Sequence, residues 1–213
     1  MLTLYDYLPS QNAWKIRLLL NHLCLPHRTV QVGIFEGEGQ SEAFRRINPI
    51  GKVPAIELDD GRTLAESNAI LAFLADGSRY LPTDSFARAR VHQWLNFEQE
   101  NIESVIGALR HWTLTGKLSR RDPATVAAKR SAGLRSLAIL ENELSSRPFI
   151  AGDRYTIADM SVFAYGSRAE EAGLSFDAFP EFRSWIERVQ AQDGFRAEVH
   201  PYSIDPHSSR ELP

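Results

Sequence analysis

The sequence predicts a two-domain protein: a small α/β domain over residues 1–77, then an all-α domain over 86–200. Three observations carry this. Strand and helix signals alternate over the first 75 residues, "DGSRYLPTDS" (76–85) interrupts them with glycine, proline and small polar residues, and every periodic segment beyond is helical.

Within the first part, "LTLYDY" (2–7) is a short strand. Ala13, Ile16, Leu19, Leu20 and Leu23 then fall at helical spacing. "RTVQVGI" (28–34) alternates Val30, Val32 and Ile34 with more polar residues, as a strand does, and 41–46 suits a short helix. Val53, Ile56 and Leu58 form a third strand. Asp59-Asp60-Gly61 turns it into "RTLA" (62–65), and a helix with Ile70, Phe73 and Leu74 inside begins near Ser67. In the second part, one helix is expected over 86–112. Another opens at Asp122-Pro123, an N-cap followed by proline at the first helical position. Thr156 and Asp159 read as a capping box, with Tyr155 and Met160 spaced as a hydrophobic staple; the role of Asp159 is therefore structural. A last helix covers 181–192, and the final dozen residues read as a loose polar tail.

Bulk properties narrow the function classes. A chain of 213 residues can bury a real core without staples. A net charge of −3 argues against a dedicated nucleic-acid binder. One cysteine, Cys24, rules out an intramolecular disulfide; following the first helix in "NHLCLP", it reads as a small buried hydrophobe. The first residues do not resemble a signal peptide, and no apolar run approaches membrane-spanning length, so the expected setting is cytoplasmic, with no membrane partner. The six histidines show no metal-binding spacing, and no metal is assigned.

One detail resists a simple reading. In "NPIGKVPAIEL" (48–58), Pro54 sits just inside a hydrophobic strand, where it has no N–H for the ladder. Read with "LPSQNAWKIRLLL" (8–20), "LAESNAIL" (64–71) and "FIAGDRYTIADM" (149–160), this stretch resembles the cytosolic glutathione transferase superfamily, and the four motifs span nearly the whole chain.

That resemblance implies a thioredoxin-like N-terminal domain and glutathione as co-substrate. It implies that Pro54 is cis and turns the Val53 N–H and C=O outward, so that the cysteinyl residue of glutathione adds as an extra strand. It further implies that Ser67 holds the γ-glutamyl carboxylate near a helix start, that Glu66 faces the ammonium group, and that Lys52 and Gln40 lie toward the glycyl carboxylate.

Ser10 and Asn12, just before the first helix and followed by Lys15, are the expected donors to the sulfur. Their bland reading is a turn serine and a capping asparagine; Tyr7 is the alternative donor, while Tyr5 packs. Phe35, Arg110, His111 and Trp112 are candidates to line an electrophile site. The expected reaction is attack of a glutathione thiolate on an electrophile. A glutathione-dependent disulfide reductase or peroxidase and a non-catalytic glutathione-binding protein are the alternatives. Family likeness also implies a homodimer.

Overall fold

The computed structural model describes residues 1–202; the polar tail expected at the C-terminus lies almost wholly outside them. The chain divides into two compact units. The first is Met1–Asp76 joined by the described residues from Arg196, and the second is Gly77–Phe195. Residues 196–200, expected in the helical domain, thus group with the α/β unit. There Trp14 Nε1 donates to the Arg196 carbonyl at 3.0 Å, and the Phe35 and Tyr202 rings meet edge to face.

The first unit is a mixed four-stranded sheet in the order β2-β1-β3-β4, with the βαβ-αββα layout of a thioredoxin-like domain. β1 (Leu2–Asp6) and β2 (His27–Gln31) run parallel, joined by α1 (Gln11–His22). α2 (Glu42–Ile47) leads to β3 (Ala55–Glu57), antiparallel to β1 with Leu4 opposite Ile56. β4 (Thr63–Ala65) pairs antiparallel with β3 and passes into α3 (Ser67–Ala75). Alternation along the strands splits the core into two faces. Tyr5 and Ala55 join Val32 and Phe44 on the α2 side. Leu4 and Ile56 point the other way and are fully buried, like Ile16, Leu19, Ile70 and Leu71 of the paired helices α1 and α3.

β2 ends earlier than its alternating pattern suggests. β1 supplies no partner beyond Asp6, whose carbonyl accepts a last bond from the Val32 N–H at 2.8 Å. Gly33 then turns the chain, held by the Glu38 carboxylate on its N–H at 2.7 Å. Cys24 is also not where the sequence suggests. It is exposed, with φ +50, at the left-handed position just after α1, where the Leu25 N–H reaches back to the Leu20 carbonyl at 3.0 Å. A helix stop usually made by glycine is made here by cysteine, and that backbone turn carries the side chain into solvent.

The second unit is all helical: α4 (Ser85–Phe97), a π-helical stretch (Glu98–Gly107), α5 (Ala108–Leu114), α6 (Pro123–Leu144), α7 (Ile157–Gly166) and α8 (Pro180–Gln190). The single helix expected over 86–112 therefore contains ten residues with wider winding. Within it the buried Glu98 carboxylate accepts from Ser161 Oγ of α7 at 3.0 Å, and Gly107 lies so close to Tyr165 that a Cβ would come within 3.0 Å of the ring. No helix among the described residues is long and apolar enough to cross a membrane.

α6 and α7 start as the sequence predicts. Asp122 accepts from the Thr125 N–H at 2.8 Å, and Thr156 with Asp159 forms the capping box. Asp159 does more than cap. Fully buried, its carboxylate accepts from the Ile150 N–H (2.9 Å), the Thr156 N–H (2.9 Å) and hydroxyl (3.2 Å), and Trp185 Nε1 of α8 (3.0 Å). Burial pushes the carboxyl above its usual range, and these donors pull it back. Truncating it would strand several buried donors at once. Asp159→Ala is expected to cost about 3 kcal/mol or more, and Asp159→Asn, which keeps one acceptor oxygen, less; urea unfolding midpoints measure both.

Candidate functional site

Register alone gathers three loops at one end of the sheet. Tyr5 pairs with Ala55 and Ala55 with Ala65. The loop leaving β1 (7–10), the loop entering β3 (48–54) and the turn from β4 into α3 (66–67) therefore meet where the ladder stops.

The first loop is held by a buried ion pair. Arg17 of α1 reaches Asp6 at the end of β1 at 2.5 Å and donates to the Leu8 carbonyl at 2.9 Å. Burial lowers the Arg17 guanidinium from its usual value, and Asp6 opposes the shift. A tight turn follows, with the Ser10 N–H on the Tyr7 carbonyl at 2.8 Å. Ser10 is the N-cap of α1, its Oγ accepting from the Ala13 N–H at 3.2 Å. Capping uses the oxygen as an acceptor, so its O–H hydrogen is still a donor for a ligand. Asn12, one turn-position on, is not the cap; its Oδ1 accepts from Ser67 Oγ at 3.2 Å. Tyr5 is committed elsewhere. Its hydroxyl donates to Glu57 at 2.7 Å, and burial with that carboxylate raises it to about 12. Tyr7 packs edge to face on Phe35.

The second loop is organised by Asn48, whose role the sequence did not signal. Its buried side chain accepts from the Ile50 N–H at 3.1 Å and donates to the Lys52 carbonyl at 2.6 Å. Gly51 (φ +72) lets this loop touch the one before α2: a Cβ there would lie 2.5 Å from the Gly39 carbonyl oxygen and 2.7 Å from Gln40 Nε2. Gln40, exposed and hydrogen-bonded to Arg45, thus sits beside the residue preceding Lys52. Lys52 is exposed. The Val53–Pro54 peptide bond is cis. Among the described residues neither the N–H nor the C=O of Val53 takes a hydrogen bond.

The third element is the start of α3. Its N-cap is Glu66, not Ser67. Glu66 is exposed with φ +69, a conformation costing a non-glycine residue about 1–3 kcal/mol, and no side chain caps the first turn. Ser67, the first helical residue, is buried, with Lys15 Nζ 3.4 Å from its Oγ. A helix start whose N-cap side chain makes no capping bond favours an anion.

Asn12 and Ser67 are therefore hydrogen-bonded, Ser10 stands two residues before Asn12 at the start of α1, Val53 and Pro54 lie at the same end of the sheet by register, and Gln40 and Lys52 form the far side of the second loop. Two further buried polar residues, Lys15 and Arg17, belong to this arrangement; charges inside an otherwise apolar helix were their only sequence signal. Cys24 is at the opposite end of α1 from Ser10, so the site contains no protein thiol. Of the electrophile-site candidates, Phe35 lies in the first unit, packed on Tyr7. Arg110, His111 and Trp112 lie in the second, where Arg110 is buried against Glu171 at 2.6 Å and Trp112 is covered by Arg121. Among the described residues no His, Cys, Asp and Glu cluster is fit for a metal ion.

Comparison with known proteins agrees with this architecture. The family model described as "Glutathione S-transferase, N-terminal domain" matches residues 9–76, and "Glutathione S-transferase, C-terminal domain" matches 106–193. A Pseudomonas fluorescens Pf-5 glutathione S-transferase structure superposes with a TM-score of 0.87 at 39% identity, covering 91% of this chain and 96% of that one. Mouse glutathione S-transferase theta-1 is 31% identical, over 91% of this chain and 84% of its own. The Escherichia coli disulfide-bond oxidoreductase YfcG is 27% identical, over 90% and 91%. The chain belongs to the cytosolic glutathione S-transferase superfamily.

Removing the cation that holds the first loop should be costly, because Asp6 would stay buried without it. Arg17→Leu is expected to lose about 3–5 kcal/mol, and the double variant Asp6→Leu/Arg17→Leu less than Arg17→Leu alone, as read by chemical denaturation.

Proposed function

We propose that the protein binds glutathione at this end of the sheet, stabilises its thiolate and directs it at an electrophilic substrate, as a glutathione transferase. The observation that carries the reading is the Val53 peptide, which takes no hydrogen bond among the described residues, beside cis-Pro54. It is a one-residue strand edge, and the cysteinyl backbone of glutathione fits it as an added antiparallel strand. The γ-glutamyl carboxylate would take the open start of α3 at Ser67, with Glu66 toward the ammonium group. The glycyl carboxylate would lie toward Lys52 and Gln40.

The chemistry then needs a thiolate. A thiol with a pKa near 8.5 is only a few per cent ionised at pH 7, and lowering that by two units requires about 2.7 kcal/mol of preference for the anion. The Ser10 O–H, the amide of Asn12 and the N-terminal dipole of α1 are of this order together. An electrophile attacked by the sulfur forms a new S–C bond as its leaving group departs or its double bond takes up a proton.

Disulfide reduction is the second reading, favoured by the likeness to YfcG; with no protein thiol in the site it would run on two glutathione molecules. A glutathione thiolate would attack a disulfide sulfur, displacing a thiolate, and a second glutathione would resolve the mixed disulfide. A homodimer accompanies either reading. Phe73 of α3 and Phe86 of α4 are large apolar side chains left exposed on their units, which a second copy would cover. A cytoplasmic setting, rich in reduced glutathione, also goes with it.

Calorimetric titration with reduced glutathione and with its disulfide distinguishes these readings. Tighter binding of the thiol form goes with conjugation, tighter binding of the disulfide puts reduction first, and binding of neither sinks both. For the sulfur's donors, Ser10→Ala should raise the apparent pKa of the bound thiol by about one unit, seen as an alkaline shift of the rate profile, with Asn12→Ala moving the same way. A shift produced by Tyr7→Phe instead would make Tyr7 the donor.

A further inference from the structure

Two arginines of the helical unit carry charges that no acidic side chain answers. Arg79, in the segment leading to α4, and Arg154, in the turn before α7, are exposed, and neither forms an ion pair among the described residues. Other arginines of the same unit are matched: Arg90 and Arg147 with Glu143, and Arg110 with Glu171. The two unmatched guanidiniums also share a location. Both border two neighbouring clefts, of about 400 Å³ and about 260 Å³, which lie wholly within this unit.

The two side chains differ in how they are held. Arg79 Nη2 donates to the Tyr80 hydroxyl at 2.9 Å, and its guanidinium carbon lies 4.9 Å from the centre of that ring. A guanidinium fixed by neutral partners keeps its full charge and its remaining N–H donors, and it loses less entropy when an oxyanion arrives. The Arg154 side chain makes no hydrogen bond among the described residues, so its whole fork is open. Asp153 is the only acidic residue lining the larger cleft, and it pairs with neither arginine. Two guanidiniums against one carboxylate leave the clefts with a net positive charge, which attracts anions.

The smaller cleft adds an apolar wall of three rings. Tyr155 packs edge to face on Tyr80, with 6.0 Å between ring centres, and tilts against Phe149 at 5.7 Å. Such rings accept the face or edge of another aromatic group. Cations beside an aromatic wall are the complement of an aromatic acid. We propose that these clefts form a binding site for an aryl oxyanion, a phosphate or carboxylate carried on an aromatic ring. Arg79 and Arg154 hold the anion, and the Tyr80, Phe149 and Tyr155 cluster receives the ring. The site uses no residue of the glutathione-binding arrangement and goes beyond that reading.

The test contains no glutathione, so its outcome is independent of the transferase reading. Phenyl phosphate, benzoate and inorganic phosphate are titrated calorimetrically at constant ionic strength into wild-type protein, Arg79→Met, Arg154→Met and Asp153→Asn. Arg135→Met, at an exposed arginine of α6, is the control. Thermal melts establish that each variant is folded; Arg154→Met removes no hydrogen bond of the described residues and is expected to fold even if Arg79→Met does not. Wild-type protein is expected to bind phenyl phosphate or benzoate at least about five-fold more tightly than inorganic phosphate, and the tighter of the two aryl ligands identifies the oxyanion. Each cleft arginine variant should weaken that ligand by about five-fold or more, Arg135→Met by less than about two-fold, and Asp153→Asn should tighten it by about two-fold. Absence of saturable binding by both aryl ligands, equal affinity for inorganic phosphate, or equal weakening by Arg135→Met would overturn the proposal.

Discussion

Proline has no N–H to give a ladder, and much of the N-terminal unit is arranged around that one missing donor. β3 starts only at Ala55, immediately after Pro54, whose peptide bond with Val53 is cis. A strand edge would then stand open at the point where β1 ends and β4 turns into α3. The surrounding loops serve this point: Asn48 cross-braces the approach to Val53, and Gly51 allows the loop before α2 to press against it. In most folds an unpaired edge is a liability that is covered or charged. Here the peptide without a ladder partner is one residue long and follows the loop that Asn48 braces.

Helix α1 links that edge to chemistry. Its buried face is not purely apolar. Arg17 ties the helix to Asp6 and to the Leu8 carbonyl, fixing the loop that carries Ser10, and Lys15 reaches across to Ser67 on α3. The helix start is capped by Ser10 through its oxygen, which keeps the hydroxyl hydrogen as a donor. Capping therefore leaves that hydroxyl able to donate one further hydrogen bond. The α3 start contrasts with it. Glu66 there has φ +69, and its side chain makes no capping hydrogen bond.

In the helical unit the most conspicuous acidic motif is devoted to folding. Asp159 sits at the meeting of α7, α8 and the turn before α7, accepting from backbone and side-chain donors of all three. A carboxylate so thoroughly engaged and so deeply buried has no lone pair aimed at solvent for general acid or base work. Glu141 of α6 has a comparable structural role at the start of α8, its two oxygens accepting from the Glu181 and Phe182 N–H groups. Both carboxylates hold the helices of this unit together.

What the sequence determined by itself was whatever short-range chemistry dictates. Alternating apolar residues set the strands, Asp122-Pro123 and Thr156-x-x-Asp159 set two helix starts, and Pro54 after Gly51 and Lys52 marks an irregular strand start. Ser10, Asn12, Val53, Glu66 and Ser67 could be singled out as candidates because they stand in ordered motifs close to turns. Tertiary structure decided what depends on partners distant in the chain. β2 stops where β1 stops, and the helix from residue 85 widens where α7 packs on it. The exposure of Cys24 follows from a left-handed helix stop that its residue type does not announce. Asn48, Lys15 and Arg17 were silent for the same reason. A polar residue inside an apolar pattern shows its purpose only when the fold brings its partner, 4 to 52 residues away, within hydrogen-bonding distance.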